Sequence, residues 1–452
     1  MPNIISIRKG LNISLKGSAE KVLSKIPISS DYAVKPGDFY GLMPKLTVNE
    51  GDQVLAGAPL FVDKNNPGIR FVSPVSGTVS RILRGDKRKL LSVTVTPSGE
   101  QRHVQHAVAD IKALSRDDVV QRMLESGAWP FLKQRPYGIL ANPADNPKAV
   151  FISGFDSAPL GPDIDFALTG EGEAFQAGID ALRKLSDTIH LSLNNQVSAN
   201  SIFRKIKGVK THTFVGPHPA GNVGIQIHHL SPINKGEIVW AIEPQHVVSL
   251  GRLFLKGVYD VSKVVALVGS EVKKPRYFRI ISGASIAPLQ SYIDTSSNPR
   301  YISGNVLTGA NIGAGGHLDF YSTMISVIPE GDYYEFLGWA NPLRMKKYSV
   351  SRSYLSWIFP DKEYALDTNV NGGQRAFVMT GEYEKVLPMD IYPVHLLKAI
   401  LSEDVDRMEQ LGIYEVIEED LALCEFVCTS KIDVQHILRR GINLMIKEMG
   451  DA

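Results

Sequence analysis

The 452-residue chain is too long for one core at ~100–150 residues per domain, so three or four domains are expected. Its 44% hydrophobic and 21% charged content is that of a folded globular protein, and a net charge of +2 offers nothing general to nucleic acid. Two cysteines, Cys424 and Cys428, exclude a disulfide framework, and the longest near-continuous apolar stretch, residues 261–269, falls short of the ~18–20 residues that span a bilayer. Asn3, Ser6, Arg8 and Lys9 interrupt the opening as they would not in a signal peptide. A soluble, cytosolic chain is expected, reaching a membrane only through partners.

Residues 1–100 read as an N-terminal segment and a domain of short strands. VNEGDQVLAGAPLFV (residues 48–62) alternates apolar and polar, with Gly51 and Gly57 at turns, and VSPVSGTVSRIL (72–83) repeats the period. The two halves in this order resemble the barrel-sandwich hybrid of biotinyl and lipoyl domains. Residues 101–255 alternate strand and helix. KAVFISGF (148–155) predicts a buried strand, followed by a helix with Phe175, Ile179, Leu182 and Leu185 on one face and Thr169 as its cap, and TIHLSLNN (188–195) returns to strand. This is a βαβ pattern and predicts a Rossmann-like domain. Residues 256–330 form a smaller β-rich unit whose V-x-G and S-G-A-x-x-x-P elements resemble a β-grasp, soluble-ligand-binding domain. Residues 331–387 are irregular, aromatic and basic. Residues 388–452 predict a helical bundle, with Pro393 in a first turn, Ser402 capping a helix that Gly412 closes, and an apolar stripe of Val434, Ile437, Leu438, Ile442, Met445, Ile446 and Met449. The fold class is α/β multidomain.

Chemistry is sparse. Gly-Lys never occurs, so no phosphate loop is present, and Phe155 is followed by Asp156, Ser157, Ala158 and Pro159 rather than G-x-G-x-x-G. The glycine cluster at 309–316 reads as a loop. Cys424 and Cys428 are too few thiols for an iron–sulfur cluster or structural zinc, and His436 stands alone. His212, His218, His228 and His229 lack a compact ligand spacing. No catalytic residue and no metal is assigned. Lys64 follows Asp63 as a lipoyl-lysine would, but NNPG lengthens the hairpin and argues against a carrier.

Two aromatic and basic stretches point to partners. Between Phe336 and Pro360, Arg344, Lys346, Lys347 and Arg352 are interleaved with Trp339, Tyr348, Tyr354, Trp357 and Phe359, without an acid; this suits a docking surface or a solvated face. Residues 401–420 carry eight acidic groups against Arg407. In GAWPFLKQRPY (127–137), Trp129, Phe131 and Tyr137 stand beside Lys133 and Arg135. Either the segment offers ring faces and cationic donors to a quinone, or it plugs its aromatics into the core.

IRKGLNISLKG, the barrel-sandwich pair, YSVSRSYLSWIF, NGGQRAFVMTGEYEKVLPMDIYP and CEFVCTSKIDVQHILRRGINLMIKE resemble the A subunit of the sodium-pumping NADH:quinone reductase, in order along the whole chain. The resemblance implies a peripheral subunit on the cytoplasmic face of the bacterial inner membrane, one of six, with the B to F membrane subunits as partners. It implies quinone as a substrate of the complex, sodium export, and NADH, flavins and iron–sulfur clusters on other subunits, with none bound tightly here. The domain plan is similar to the flavin-binding subunit of respiratory complex I, without its glycine-rich loop or cluster cysteines. A stand-alone flavin or NAD oxidoreductase and a lipoyl or biotin carrier are the alternatives.

Overall fold

A computed structural model describes residues 4–336, 347–352 and 354–448. Residues 32–97 form two antiparallel sheets. One runs in the order Tyr32–Val34, Leu90–Pro97, Gly77–Arg84, Gln53–Val54, and the other Pro44–Leu46, Pro59–Asp63, Arg70–Val72. Period-two alternation turns Val79, Val93 and Val95 inward with Leu60, Phe61 and Phe71, while Ser80 and Arg81 stay in solvent.

The central sheet has seven strands in the order Ile4–Ser6, Lys210–Val215, Ile189–Asn194, Val150–Ser153, Val239–Ala241, Lys133–Arg135, Ile139–Leu140. The first five are parallel and the last two form an antiparallel hairpin on the edge. Both faces are covered at the centre of the sheet, where Val150–Ser153 and Val239–Ala241 read as apolar runs, whereas Lys210–Val215 toward one edge is largely polar. Val150 and Ile152 join the core under the helices Gly172–Leu185 and Pro244–Lys256, and Phe151 packs on the other face with Ile227 of the helix Val223–Leu230. The first two helices cross at backbone contact: a Cβ on Gly251 would sit 1.7 Å from Ala174 O, and one on Gly178 2.1 Å from Val247 O.

A second, mixed sheet runs in the order Ala310–Asn311, Pro299–Ser303, Met324–Pro329, Ser262–Val268, Arg276–Ile281, Glu20–Ser24. Its last strand comes from the N-terminal segment, as does the edge strand Ile4–Ser6 of the central sheet. Five helices, Tyr383–Val386, Pro393–Leu401, Val405–Gln410, Glu418–Val427 and Val434–Glu448, enclose a separate core built on Leu397, Met408, Cys424, Leu438 and Ile442.

Phe175, Ile179, Leu182 and Leu185 are all buried at the predicted spacing. The caps differ from expectation. Thr169 donates back to Asp165 O at 3.4 Å, and Glu171 holds the N-cap position while its carboxylate accepts from Arg252 at 2.5 Å. Ser402 closes the preceding helix by donating to Lys398 O at 3.1 Å, and Asp404 caps the next by accepting from Arg407 N at 3.1 Å. Glu403, at φ 56°, turns the backbone between them. Gly412 ends that helix left-handed at φ 87°, as predicted. In the last helix Val434, Leu438, Ile442 and Met445 are buried, Ile437 and Ile446 are half-buried, and Met449 lies outside the described residues.

Candidate functional site

The segment 127–137 leaves the helix Arg116–Ser126 through Gly127, left-handed at φ 78°, where a Cβ would strike Val72 at 2.5 Å. That close approach ties the segment to the β-sandwich. Trp129 is 0% exposed; its indole N–H donates to Ala141 O at 2.7 Å and its ring meets Trp240 edge-on at 5.5 Å. Phe131, 1% exposed, stacks on His246 at 4.8 Å. Of the two readings of this segment, the aromatic plug describes these two rings. Arg135, 3% exposed, donates to Asp420 at 2.8 Å and to Glu419 at 2.6 Å, joining the central sheet to the helical unit. Tyr137 is buried at φ 79°, with its carbonyl accepting from Arg439. Lys133 is half-buried with its ammonium 3.7 Å from the Tyr321 ring centroid.

Lys133 and Arg135 line a cleft of about 310 Å³ between the central sheet, the mixed sheet and the helical unit. Its position follows from topology. The strands Val150–Ser153 and Val239–Ala241 are parallel neighbours, and from Val150–Ser153 the sheet continues through Ile189–Asn194 on the other side. This is a switch point, where open α/β sheets have their ligand crevice beyond the carboxyl ends of the strands. Asp156, Glu243, Asp319 and Glu419 face the cleft. Burial pushes Asp156 up to about 6, against the pull of the Ala158 N–H. Burial likewise raises Glu419, against the pull of Arg135. His218, whose Nδ1 lies 3.0 Å from Ser157 Oγ, is lowered by burial to about 4 and stays neutral. In the sequence Asp156 stands out only as an obstacle to phosphate; its place at the switch point was the missed signal.

A second, apolar slot of about 20 Å³, room for one water, lies between Phe39, Phe71, Gly127, Pro130, Tyr259 and Phe320. Asp38 borders it, raised to about 6 by burial, and buried Lys263, lowered to about 7 by the same cause, donates to Phe320 O at 2.7 Å. Lys35 bridges to Asp319 of the cleft.

The other sequence candidates are dispersed. His212 pairs with His190 at 2.8 Å, and His228 with Glu415 at 2.7 Å. Cys424 and Cys428 are buried, the latter accepting from Tyr383 OH at 2.9 Å. Among the described residues no group of three or more His, Cys, Asp or Glu is placed to hold a metal ion. Lys347 is drawn in beside Glu335 and Tyr333, while Trp357 is 54% exposed with the Arg352 guanidinium 5.7 Å from its ring centroid. Trp339, Arg344 and Lys346 lie outside the described residues.

A β-sandwich joined to an α/β sheet with a switch-point crevice, capped by a mixed sheet and helices, defines a multidomain α/β protein with a cleft between units. Family models described as the NqrA N-terminal barrel-sandwich hybrid domain, the NqrA second alpha/beta domain and the NQRA C-terminal domain match residues 5–98, 114–259 and 264–313. The chain is 37% identical over 441 residues to the A subunit of the Na(+)-translocating NADH-quinone reductase of Yersinia pestis bv. Antiqua (strain Angola), covering 96% of this chain and 98% of that one. Its identity to the corresponding protein of Neisseria meningitidis serogroup A / serotype 4A (strain DSM 15465 / Z2491) is also 37%, over 98% of this chain and all of that one. The chain therefore belongs to the NqrA family, the A subunits of Na(+)-translocating NADH-quinone reductases. An NAD+-reducing NiFe hydrogenase in the H2-reduced state aligns with 77% of this chain at 10% identity and a TM-score of 0.39, which supports no argument about function.

Proposed function

We propose that the chain is a peripheral subunit of a sodium-pumping NADH:quinone oxidoreductase and supports quinone reduction coupled to Na+ export. The observation that carries this is the 37% identity along the full length of relatives bearing that name. Among the described residues no helix is long and apolar enough to cross a membrane, which suits a subunit docked on the cytoplasmic face of the inner membrane against the B to F subunits of a six-subunit complex. NADH, flavins and iron–sulfur chemistry fall to those other subunits, in keeping with the acidic Asp156 where a phosphate-binding glycine would stand.

The division proposed is a barrel-sandwich domain with its N-terminal segment (1–100), a Rossmann-like domain without an intact flavin motif (101–255), a β-grasp domain (256–330), a docking segment (331–387) and a helical domain (388–452). Quinone contact is assigned to residues 127–137: Lys133 and Arg135 face the cleft, while buried Trp129, Phe131 and Tyr137 hold the segment in place. Docking is assigned to Trp339, Arg344, Lys346, Lys347, Arg352 and Trp357. Membranes depleted of this chain should lose Na+-dependent NADH:quinone reduction and regain it on adding the purified chain. Undiminished activity in the depleted membranes would remove the proposal.

A further inference from the structure

The four carboxylates of the switch-point cleft do not share its cations evenly. Arg135 is committed to Glu419 and Asp420, Lys35 to Asp319, and Lys133 lies 3.9 Å from Glu243 with its ammonium over Tyr321. Asp156 is left over. One of its oxygens accepts the Ala158 N–H at 2.7 Å, and among the described residues no lysine, arginine or histidine is paired with it. It stands just beyond Val150–Ser153, at the switch point, in a cavity of about 310 Å³. Small-molecule sites run from roughly 300 to 1,000 Å³.

The lining sets the kind of ligand. Phe155, Ile164, Ile242, Pro244 and Met324 give apolar surface for a ring, and four carboxylates, Asp156, Glu243, Asp319 and Glu419, line the cleft against two cations, Lys133 and Arg135. An oxidised quinone presents only carbonyl acceptors, which carboxylates repel. Its two-electron-reduced form presents two hydroxyl donors, which carboxylates hold.

We propose that this cleft binds the hydroquinone in preference to the quinone, with Asp156 accepting a hydrogen bond from one ring hydroxyl. The inference rests on the reading that this subunit meets quinone, and goes beyond it in naming the redox form and the residue that selects it. It concerns binding alone; no bond is made or broken.

The test is anaerobic calorimetric titration of the full chain with duroquinone and, separately, durohydroquinone. The expected result is tighter binding of the hydroquinone by about tenfold or more, the range of a charge-assisted hydrogen bond. Asp156→Asn keeps an oxygen for the Ala158 N–H, so the loop should persist while the preference disappears. Ser322→Trp, which fills the cleft from its wall, should abolish hydroquinone binding. Equal or tighter binding of duroquinone, or an unchanged preference in Asp156→Asn, would overturn the hydroquinone site and leave the quinone reading standing. Binding of neither form would overturn that reading for this chain, and this inference with it.

Discussion

Residues 127–137 and residues 347–360 both interleave aromatic and basic side chains, yet Trp129 and Phe131 are 0% and 1% exposed while Trp357 and Phe359 are 54% and 44% exposed. Composition does not separate them; available partners do. The indole of Trp129 finds Ala141 O, and the guanidinium of Arg135 finds Glu419 and Asp420. Trp357 has the Arg352 guanidinium over its ring in a half-open setting. An aromatic and basic run is buried only when the fold supplies acceptors for its N–H groups and counter-charges for its cations, because either left unpaired inside costs several kcal/mol.

The largest expected effects lie in the buried stretch. Trp129→Ala should cost ~3–5 kcal/mol through lost packing, and Arg135→Ala a similar ~3–5 kcal/mol because Asp420, itself 0% exposed, keeps the Ile417 N–H but loses its counter-charge. Denaturant unfolding measures both. If Arg135→Ala unfolds like the parent, the ion pair is not what holds the loop, and the contrast between the two stretches loses half its basis.

Acid sharpens the comparison. His218 packs inside at a folded-state value of about 4 against 6.5 for the free ring, so its contribution to stability is intact above pH 6.5 and is lost as pH falls toward 4. Asp156, raised to about 6, works in the opposite sense between 6 and 3.8, so the histidine has to be isolated by mutation. In His218→Asn the stability lost between pH 7 and pH 5 should shrink by about 2 kcal/mol. An unchanged pH dependence would mean that His218 titrates normally in the fold.

Smaller effects follow for exposed groups. Lys133→Met should leave stability within ~1 kcal/mol, since the lysine is half-open and its nearest carboxylate is 3.9 Å away, while weakening quinone binding several-fold in a titration. Unaltered affinity would remove Lys133 from the proposed contact. Smallest of all, Trp357→Ser should move stability by no more than ~0.5 kcal/mol but reduce co-purification with the membrane subunits. Normal assembly would make that face merely solvated.

Much of the architecture was legible. Alternation and turn glycines gave the sandwich strands, and the helical spacing of Phe175, Ile179, Leu182 and Leu185 gave the buried helix face. Caps were less so, since Ser402 and Asp404 are both competent cap residues and only the turn at Glu403 decides between them. The cleft was not legible. Its walls come from residues 133–164, 218–244, 303–324 and 417–419, and no local pattern announces that Asp156 and Met324 share a cavity. Nor did Arg135 disclose that its counter-charges stand 284 and 285 positions downstream.

The N-terminal strands carry a consequence in time. Ile4–Ser6 lies beside Lys210–Val215, and Glu20–Ser24 beside Arg276–Ile281. On a ribosome adding roughly 5–20 residues per second, the first strand waits on the order of 10–40 s for its neighbour to be made, and the second somewhat longer. During that interval the sandwich at 32–97 has all its strands and is free to fold, while the segment ahead of it trails as an unpaired leader with exposed apolar groups at Ile4, Val22 and Leu23. Completion of both large sheets is therefore postponed until the middle of the chain has emerged, and a nascent-chain chaperone that shields the leader should raise the yield of folded subunit more than one acting on the finished polypeptide.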